Sequence, residues 1–377
     1  MEINQYTSDY LIALLKATIH QEQPPEKPET VEWKDLLNLA VYHQIEEMVY
    51  DAVSKLQNQP EGEIARVWNQ QHEKNQLIHM IQQAEAKAII GEASKQGLDI
   101  LPLKGALMKP LYLKAGFRQM GDLDYLVDKE QIDRFVPLME SLGYVPEDVG
   151  LDDSHDVYQK RPYMEVEIHR RLLPPTEENH WHTDDIWERL ERDEENPHLR
   201  KMTIADYYLF HLLHFEKHYS MGGSGIRSIV DQYYLMKNYP EEIATEKVQL
   251  LLEKMNYVQF EKMCRNLAEA WFDNGILQEE FKESAEYIIN SGVFGTFEQY
   301  QKWSFERYQK EQGIKSQKGY FFRRMFMERE RMEFIYPSLK KHGWLLPFFW
   351  IHRLFRSVFC NWGRVKMELK HFMKKNK

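Results

Sequence analysis

The stretch Gly121-Asp122-Leu123-Asp124-Tyr125-Leu126-Val127 sets two carboxylates one residue apart in an apolar run. Strand side chains alternate with period two, so Asp122 and Asp124 fall on one face of a β-strand over 122–127. Burying two carboxylates side by side is costly unless a cation sits between them. The pattern asks for a metal. A third carboxylate on another strand would complete a divalent-ion site of the kind used for phosphoryl chemistry. Upstream lies Lys104-Gly105, and downstream Tyr163-Met164-Glu165-Val166-Glu167-Ile168-His169 alternates as a strand does.

Outward from this stretch, a compact α+β unit spans 98–173. It reads as a short strand Ile100-Leu101-Pro102-Leu103, the Lys104-Gly105 turn, a short helix from Ala106 to Leu113, and the strand 122–127. A helical stretch from Asp128 to Leu142, closed by Gly143, and a β-rich stretch over 144–173 follow. Helical periodicity flanks the unit on both sides. Residues 7–58 read as helices broken at Pro24-Pro25, and a long polar-rich helix covers 61–96 with Gly97 as its C-terminal stop. Further on, helices are expected over 203–219, 226–238 and 241–255 and onward to 311, with Met221-Gly222-Gly223-Ser224-Gly225 as a flexible turn. The expected fold class is therefore α+β, a small mixed-sheet core with flanking helices embedded between helical regions. The boundaries are 1–97, 98–173, 174–311 and a basic, aromatic-rich helical tail at 312–377.

Composition is that of an ordinary soluble globular protein: 377 residues, 43% hydrophobic, 29% charged, mean hydropathy −0.63. The net charge of −10 argues against general nucleic-acid affinity but hides an asymmetry. From Lys340 onward ten Lys/Arg face one acid, Glu368, which leaves the tail at +9 and the remaining body at −19. Only two cysteines occur, Cys264 and Cys360, which suits a reducing cytosol and excludes a disulfide framework. No signal-peptide pattern and no apolar run of spanning length is read, so the expected location is cytoplasmic. The apolar Trp344–Ile351 stretch, followed by Arg353, Arg356, Arg364 and Lys366, fits three roles. It can be a helix packed on the acidic body, a surface for anionic membrane over 344–377, or a nucleic-acid contact.

Phosphoryl transfer through a divalent ion needs metal ligands, a hold on the phosphates and a group to orient the attacker. Asp122 and Asp124 can hold metal. Glu167 on a neighbouring strand can bridge an ion and help deprotonate an attacking hydroxyl, with Glu165 on the same strand face as the rival third acid. Lys104 and the amides after Gly105 can cradle phosphates, and Arg118 offers a forked donor. Each piece has a plain reading: an acidic pair on a surface, an ordinary turn, a surface ion pair. Their order along the chain carries the functional reading. His211, His214 and His218 share one helical face and His155, His169, His180 and His182 lie elsewhere; the helix trio reads as cleft-lining or structural rather than as a zinc site. Arg227 and Asp231, four residues apart, read as a structural helix pair.

This order resembles the DNA-polymerase-β-like nucleotidyltransferase superfamily. More closely, the chain resembles the bacterial "uncharacterised nucleotidyltransferase" family. The resemblance rests on Leu103-Lys104-Gly105-Ala106, Phe117-Arg118-Gln119-Met120-Gly121-Asp122-Leu123-Asp124, Leu142-Gly143-Tyr144 and Glu167-Ile168-His169. Flanking likeness runs from Trp33 to Asp231. The resemblance implies a nucleotidyltransferase core using Mg2+ (or Mn2+), with Asp122, Asp124 and Glu167 as catalytic and metal-binding acids. It implies nucleotide binding by Lys104, Gly105, Ala106, Arg118 and Gly121, and a substrate cleft near His169, His211, His214 and His218. The serine of the wider superfamily is replaced by Ala106, which removes a phosphate-binding hydroxyl. The implied partners are an NTP and an acceptor of unnamed class: small molecule, protein or RNA. A DxD glycosyltransferase and a catalytically decayed nucleotide-binding or partner-docking protein are the alternative functions.

Overall fold

The computed structural model describes residues 3–148, 155–172 and 186–296, parts of 299–335, and 336–360. The expectations for His180, His182, the 312–318 loop and the basic residues beyond 360 lie outside the described residues. Two compact units are separable, Met1–Gly295 and Thr296–Lys377.

In the first unit, helices α1 (Gln5–His20), α2 (Trp33–Tyr42), α3 (Glu46–Val53) and α4 (Gly62–Lys95) precede the sheet. The Asn4 side chain starts α1 by accepting from the Tyr6 amide at 3.0 Å, and Tyr10, Leu11, Leu14 and Leu15 form its buried stripe. Along α4, Trp68, Asn75, Gln82 and Ile89 are buried at intervals of two helical turns. One face of this helix therefore touches protein over nearly its whole length. Trp68 packs in the core of the helical region and Ile89 in that of the sheet, which makes α4 the link between them. Gly97 follows the helix with φ 65°, the left-handed stop its sequence predicts.

The sheet has five strands: β1 (Ile100–Pro102), β2 (Leu123–Val127), β3 (Val145–Asp148), β4 (His155–Lys160) and β5 (Met164–His169). Their order is β1-β2-β5-β4-β3, with β2 and β5 parallel and the other neighbours antiparallel. Helix α5 (Gly105–Met108) follows β1, and α6 (Ile132–Ser141) connects β2 to β3. Strand alternation gives the sheet two different faces. Leu123, Tyr125, Val127, Val166 and Ile168 pack on Ile89 and Ala93 of α4 and on Phe135, Leu138 and Met139 of α6. Asp124, Leu126 and Glu167 are left for the opposite face.

Three expectations shift here. The helix from Ala106 to Leu113 is a short α5 followed by a 3-10 turn over Lys109–Leu111, because Pro110 has no N–H to continue the α-helix. The helix from Asp128 begins only at Ile132, and β2 begins at Leu123, so Asp122 sits just ahead of the strand.

After the sheet come α7 (Ile186–Arg189), a small antiparallel pair β6 (Glu191–Arg192) and β7 (Arg200–Lys201), and then α8 (Ile204–Met221) and α9 (Ile226–Asn238). The unit continues with α10 (Pro240–Ile243), α11 (Glu246–Met255), α12 (Val258–Phe272) and α13 (Lys282–Ser291). The helix expected over 241–255 is thus two, since Thr245 caps a new start by accepting from the Val248 amide at 3.3 Å. The Gly222-Gly223-Ser224-Gly225 run is not the flexible turn its composition suggested. It is buried, and a Cβ on Gly225 would stand 2.8 Å from His43 Nδ1 and 2.9 Å from the Val293 amide nitrogen. In the second unit the principal described element is α14 (Leu346–Cys360).

Candidate active site

At the end of β1 the Leu103 amide donates to the Asp124 carbonyl at 2.9 Å, which fixes the following turn beside the acidic pair. The chain turns at Lys104 with φ 46° and ψ −118°, a region disfavoured for any residue with a Cβ. The Tyr207 hydroxyl on α8 holds this turn by donating to the Lys104 carbonyl at 3.1 Å. The strained backbone aims the side chain at the carboxylates: Lys104 Nζ donates to Asp124 Oδ1 at 2.5 Å and stands 3.7 Å from Glu167 Oε2. Of the groups expected to cradle phosphate, the Ala106 amide donates back to the Leu103 carbonyl at 3.1 Å. Gly105 is closely packed, since a Cβ there would stand 2.5 Å from Met120 Sδ and the Met120 side chain would have to move. Gly121 is exposed, and a Cβ on it would meet nothing within 4 Å.

The parallel register of β2 and β5 places Asp124 directly beside Glu167. His169, two residues on, reaches back with Nε2 at 2.9 Å from Asp124 Oδ1 and 3.1 Å from Glu167 Oε2. Burial raises the Asp124 carboxyl, but Lys104 and then His169 outweigh it and hold Asp124 well below the usual carboxylate range. Glu167 is likewise lowered, its burial outweighed by the hydrogen bond from His169 and the charge of Lys104. Burial alone would lower His169; its bonds to Asp124 and Glu167 raise it. Asp122 is different. Burial, and then the Asp124 charge, push it up to about 6, with Lys104 only partly offsetting them. Glu165 accepts from Gln159 Nε2 at 3.2 Å.

Asp122, Asp124 and Glu167 offer oxygens that all lie within 4.8 Å of one another, and His155, Glu167 and His169 form a second such group. An all-oxygen donor set fits a hard divalent cation such as Mg2+ or Mn2+. The residues present therefore fit a metal.

These groups open into a cavity of about 500 Å³ whose opposite wall is α8 and the start of α9. His211, His214 and His218 line that wall, as the sequence places them. His214 Nε2 and His218 Nε2 are 3.1 Å apart, while the buried His211 Nε2 has no hydrogen-bond partner. Burial pushes His211 and His218 each down to about 4 and His214 well below its ordinary value, so these three histidines are neutral at pH 7. Among the described residues the trio does not form a three-ligand metal group.

The expected Arg227–Asp231 helix pair is not formed. Asp231 instead accepts Arg118 Nε at 2.8 and 3.1 Å and the Tyr112 hydroxyl at 2.6 Å, because its side chain leaves α9 toward the 112–118 segment. Arg118 is thus buried and braced rather than a loose surface group, and its Nη1 donates to the Gln119 carbonyl at 2.5 Å. Arg227 donates to Gln44 Oε1 and, at 3.3 Å, to the same Gln119 carbonyl. Sequence reasoning missed Arg227, Gln44, Tyr207, Arg171 and Lys217 as cavity residues. For Arg227 a signal was present: it opens a helix directly after a glycine-rich turn, where backbone comes close to other groups. Gln44 and Tyr207 carry no such mark.

A sequence model of the uncharacterised nucleotidyltransferase family matches residues 29–273. No curated protein matches the chain. Among solved structures, that of the antibiotic-resistance factor ANT(2'')-Ia superposes with a TM-score of 0.35 at 11% identity, covering 48% of this chain and 96% of that one. The family match sets aside the glycosyltransferase alternative. Over more than half its length, through the sheet and both cavity walls, the chain belongs to the uncharacterised nucleotidyltransferase family and is a nucleotidyltransferase.

Proposed function

We propose that this protein transfers a nucleoside monophosphate from an NTP to a hydroxyl acceptor, with Mg2+ or Mn2+ held by Asp122, Asp124 and Glu167. The observation that carries this reading is the convergence of the three acids, within 4.8 Å of one another, in the lining of a cavity of about 500 Å³. The acceptor oxygen attacks the α-phosphorus, the bond from that phosphorus to the bridging oxygen breaks, and pyrophosphate leaves. Glu167 takes the acceptor's proton, held in place by His169. Lys104, fixed by its turn, keeps Asp124 ionised and oriented. When bound, the metal supplies Lewis-acid stabilisation of the charge that develops on the phosphate oxygens. The test is incubation of the protein and Mg2+ in cell extract with α-labelled and, separately, γ-labelled NTPs. The α label joining an acceptor product while the γ label leaves as pyrophosphate supports the reading; the γ label on the acceptor, or no labelled acceptor, contradicts it.

For the second unit we propose contact with an anionic membrane surface through α14. Trp344, Phe348, Ile351 and Phe355 recur at helical spacing and are 72, 62, 52 and 60% exposed. The other side of the helix packs within the unit, where Trp350 Nε1 donates to the Met327 carbonyl at 2.9 Å and Phe349 meets Tyr336. No acid occurs between Glu333 and Glu368, while Lys340, Lys341, Arg353 and Arg356 lie in that span. An aromatic stripe in a wholly basic segment is complementary to anionic lipid. No helix among the described residues is long and apolar enough to cross a membrane. Sedimentation with anionic vesicles tests this proposal.

A further inference from the structure

Two guanidinium groups share one carbonyl near the Lys104-Gly105 turn, and among the described residues only one of them is ion-paired with a carboxylate. Arg118 Nη1 and Arg227 Nη1 both donate to the Gln119 carbonyl, at 2.5 and 3.3 Å. Asp231 neutralises Arg118. The other described partner of Arg227 is the neutral Gln44, and among the described residues no carboxylate lies at ion-pair distance from it. Both arginines line the cavity. Burial, and then the Arg118 charge, push the Arg227 guanidinium down to about 9, which marks a cation short of both water and counter-charge.

The position of the pair is informative. The Cβ direction of Gly105 points within 3.7 Å of Arg118 Nη1, and Arg227 lies within the electrostatic influence of Asp122. The arginines thus flank the turn on the side of the acids. A triphosphate whose α-phosphorus sits at the carboxylates must send its β- and γ-phosphates to a neighbouring wall. The turn is poorly equipped to receive them: Ala106 has no hydroxyl and its amide is already bonded, and α5 is only one turn long.

We propose that Arg227, with Arg118 beside it, binds the terminal phosphates of the NTP. The proposal rests on the nucleotidyl-transfer reading given above. A guanidinium presents parallel donors that match two phosphate oxygens, and the Arg227 guanidinium, with no ion-paired carboxylate among the described residues, offers them in a partly desolvated site. Asp231 is a positioning residue in this scheme. It holds Arg118 in the wall without touching the ligand.

The experiment is calorimetric titration of the full chain in Mg2+ with the α,β-methylene analogues of the four common NTPs and with the matching monophosphates. Wild type, Arg227→Gln and Arg227→Lys are compared. Arg227→Gln is expected to weaken triphosphate binding tenfold or more and leave monophosphate binding unchanged, with Arg227→Lys recovering part of the loss. Equal triphosphate affinity in wild type and Arg227→Gln overturns the subsite. So does an equal loss for mono- and triphosphates, which would mark a structural role. A wild-type protein that binds none of the four analogues overturns the nucleotidyl-transfer reading itself.

Discussion

Asp122 and Asp124 stand two residues apart, yet their surroundings oppose each other. Asp124 is 3% exposed and receives both Lys104 and His169 on one oxygen, whereas Asp122 is pushed up to about 6 by burial and its neighbour's charge. The two Asn variants therefore differ in stability although both remove a proposed metal ligand. Asp124→Asn breaks a buried ion pair and lowers unfolding free energy by about 3 kcal/mol. Asp122→Asn relieves repulsion and leaves stability unchanged or raised; urea unfolding of both variants checks this contrast. Transfer should fall about a thousandfold or more in each, since several kcal/mol of charge stabilisation are lost. The Asp122/Asp124 spacing and the alternation around Glu167 were visible in the sequence, but it is the parallel register of β2 and β5 that sets Asp124 beside Glu167. Their partners were harder to read. Lys104 arrives through a strained turn that no periodicity marks, and Asp231 chooses Arg118 over its helical neighbour Arg227 for reasons of tertiary direction.

The turn after β1 and the start of α9 are the two elements that set the cavity. Gly105→Ala forces a Cβ against Met120, which sits in the segment leading to Asp122. The variant should fold but bind nucleotide at least several-fold more weakly, as titration with a non-reactive triphosphate will measure. At the start of α9, His43 accepts from the Ile226 amide at 3.0 Å and its Nε2 bonds the Ile289 carbonyl at 3.1 Å. Burial pushes His43 down to about 3, so it folds neutral. The unfolded chain binds this proton near pH 6.5 and the folded chain does not, so stability is lost as pH falls from about 6.5 toward 3. The slope is about 1.4 kcal/mol per pH unit for this group. His43→Gln should flatten that slope in pH-dependent denaturation; an unchanged slope would contradict the assignment. Most elements were legible, since long stretches with clear 3.6-residue spacing declare themselves. The β6–β7 pair and the break between α10 and α11 were not, because two-residue strands carry no period and a single Thr cap decides the break.

Across the whole molecule, the α+β class followed from the switch of period at 98–173. The charge asymmetry of the tail was equally plain, but composition alone left its occupant open. The exposed stripe of α14 gives that choice a test. Phe348→Glu with Ile351→Glu in the full chain should reduce sedimentation with anionic vesicles at least fivefold and leave neutral vesicles unaffected; equal binding would contradict the membrane proposal. Metal-dependent nucleotidyl transfer is proposed to rest on the acid triad. Its most direct measurement is Mg2+-dependent label transfer from α-labelled NTP to product, compared between wild type and the stably folded Asp122→Asn. Wild type should transfer label, chelation should abolish the transfer, and the variant should show none. Full transfer by Asp122→Asn, or transfer unaffected by chelation, would contradict that proposal.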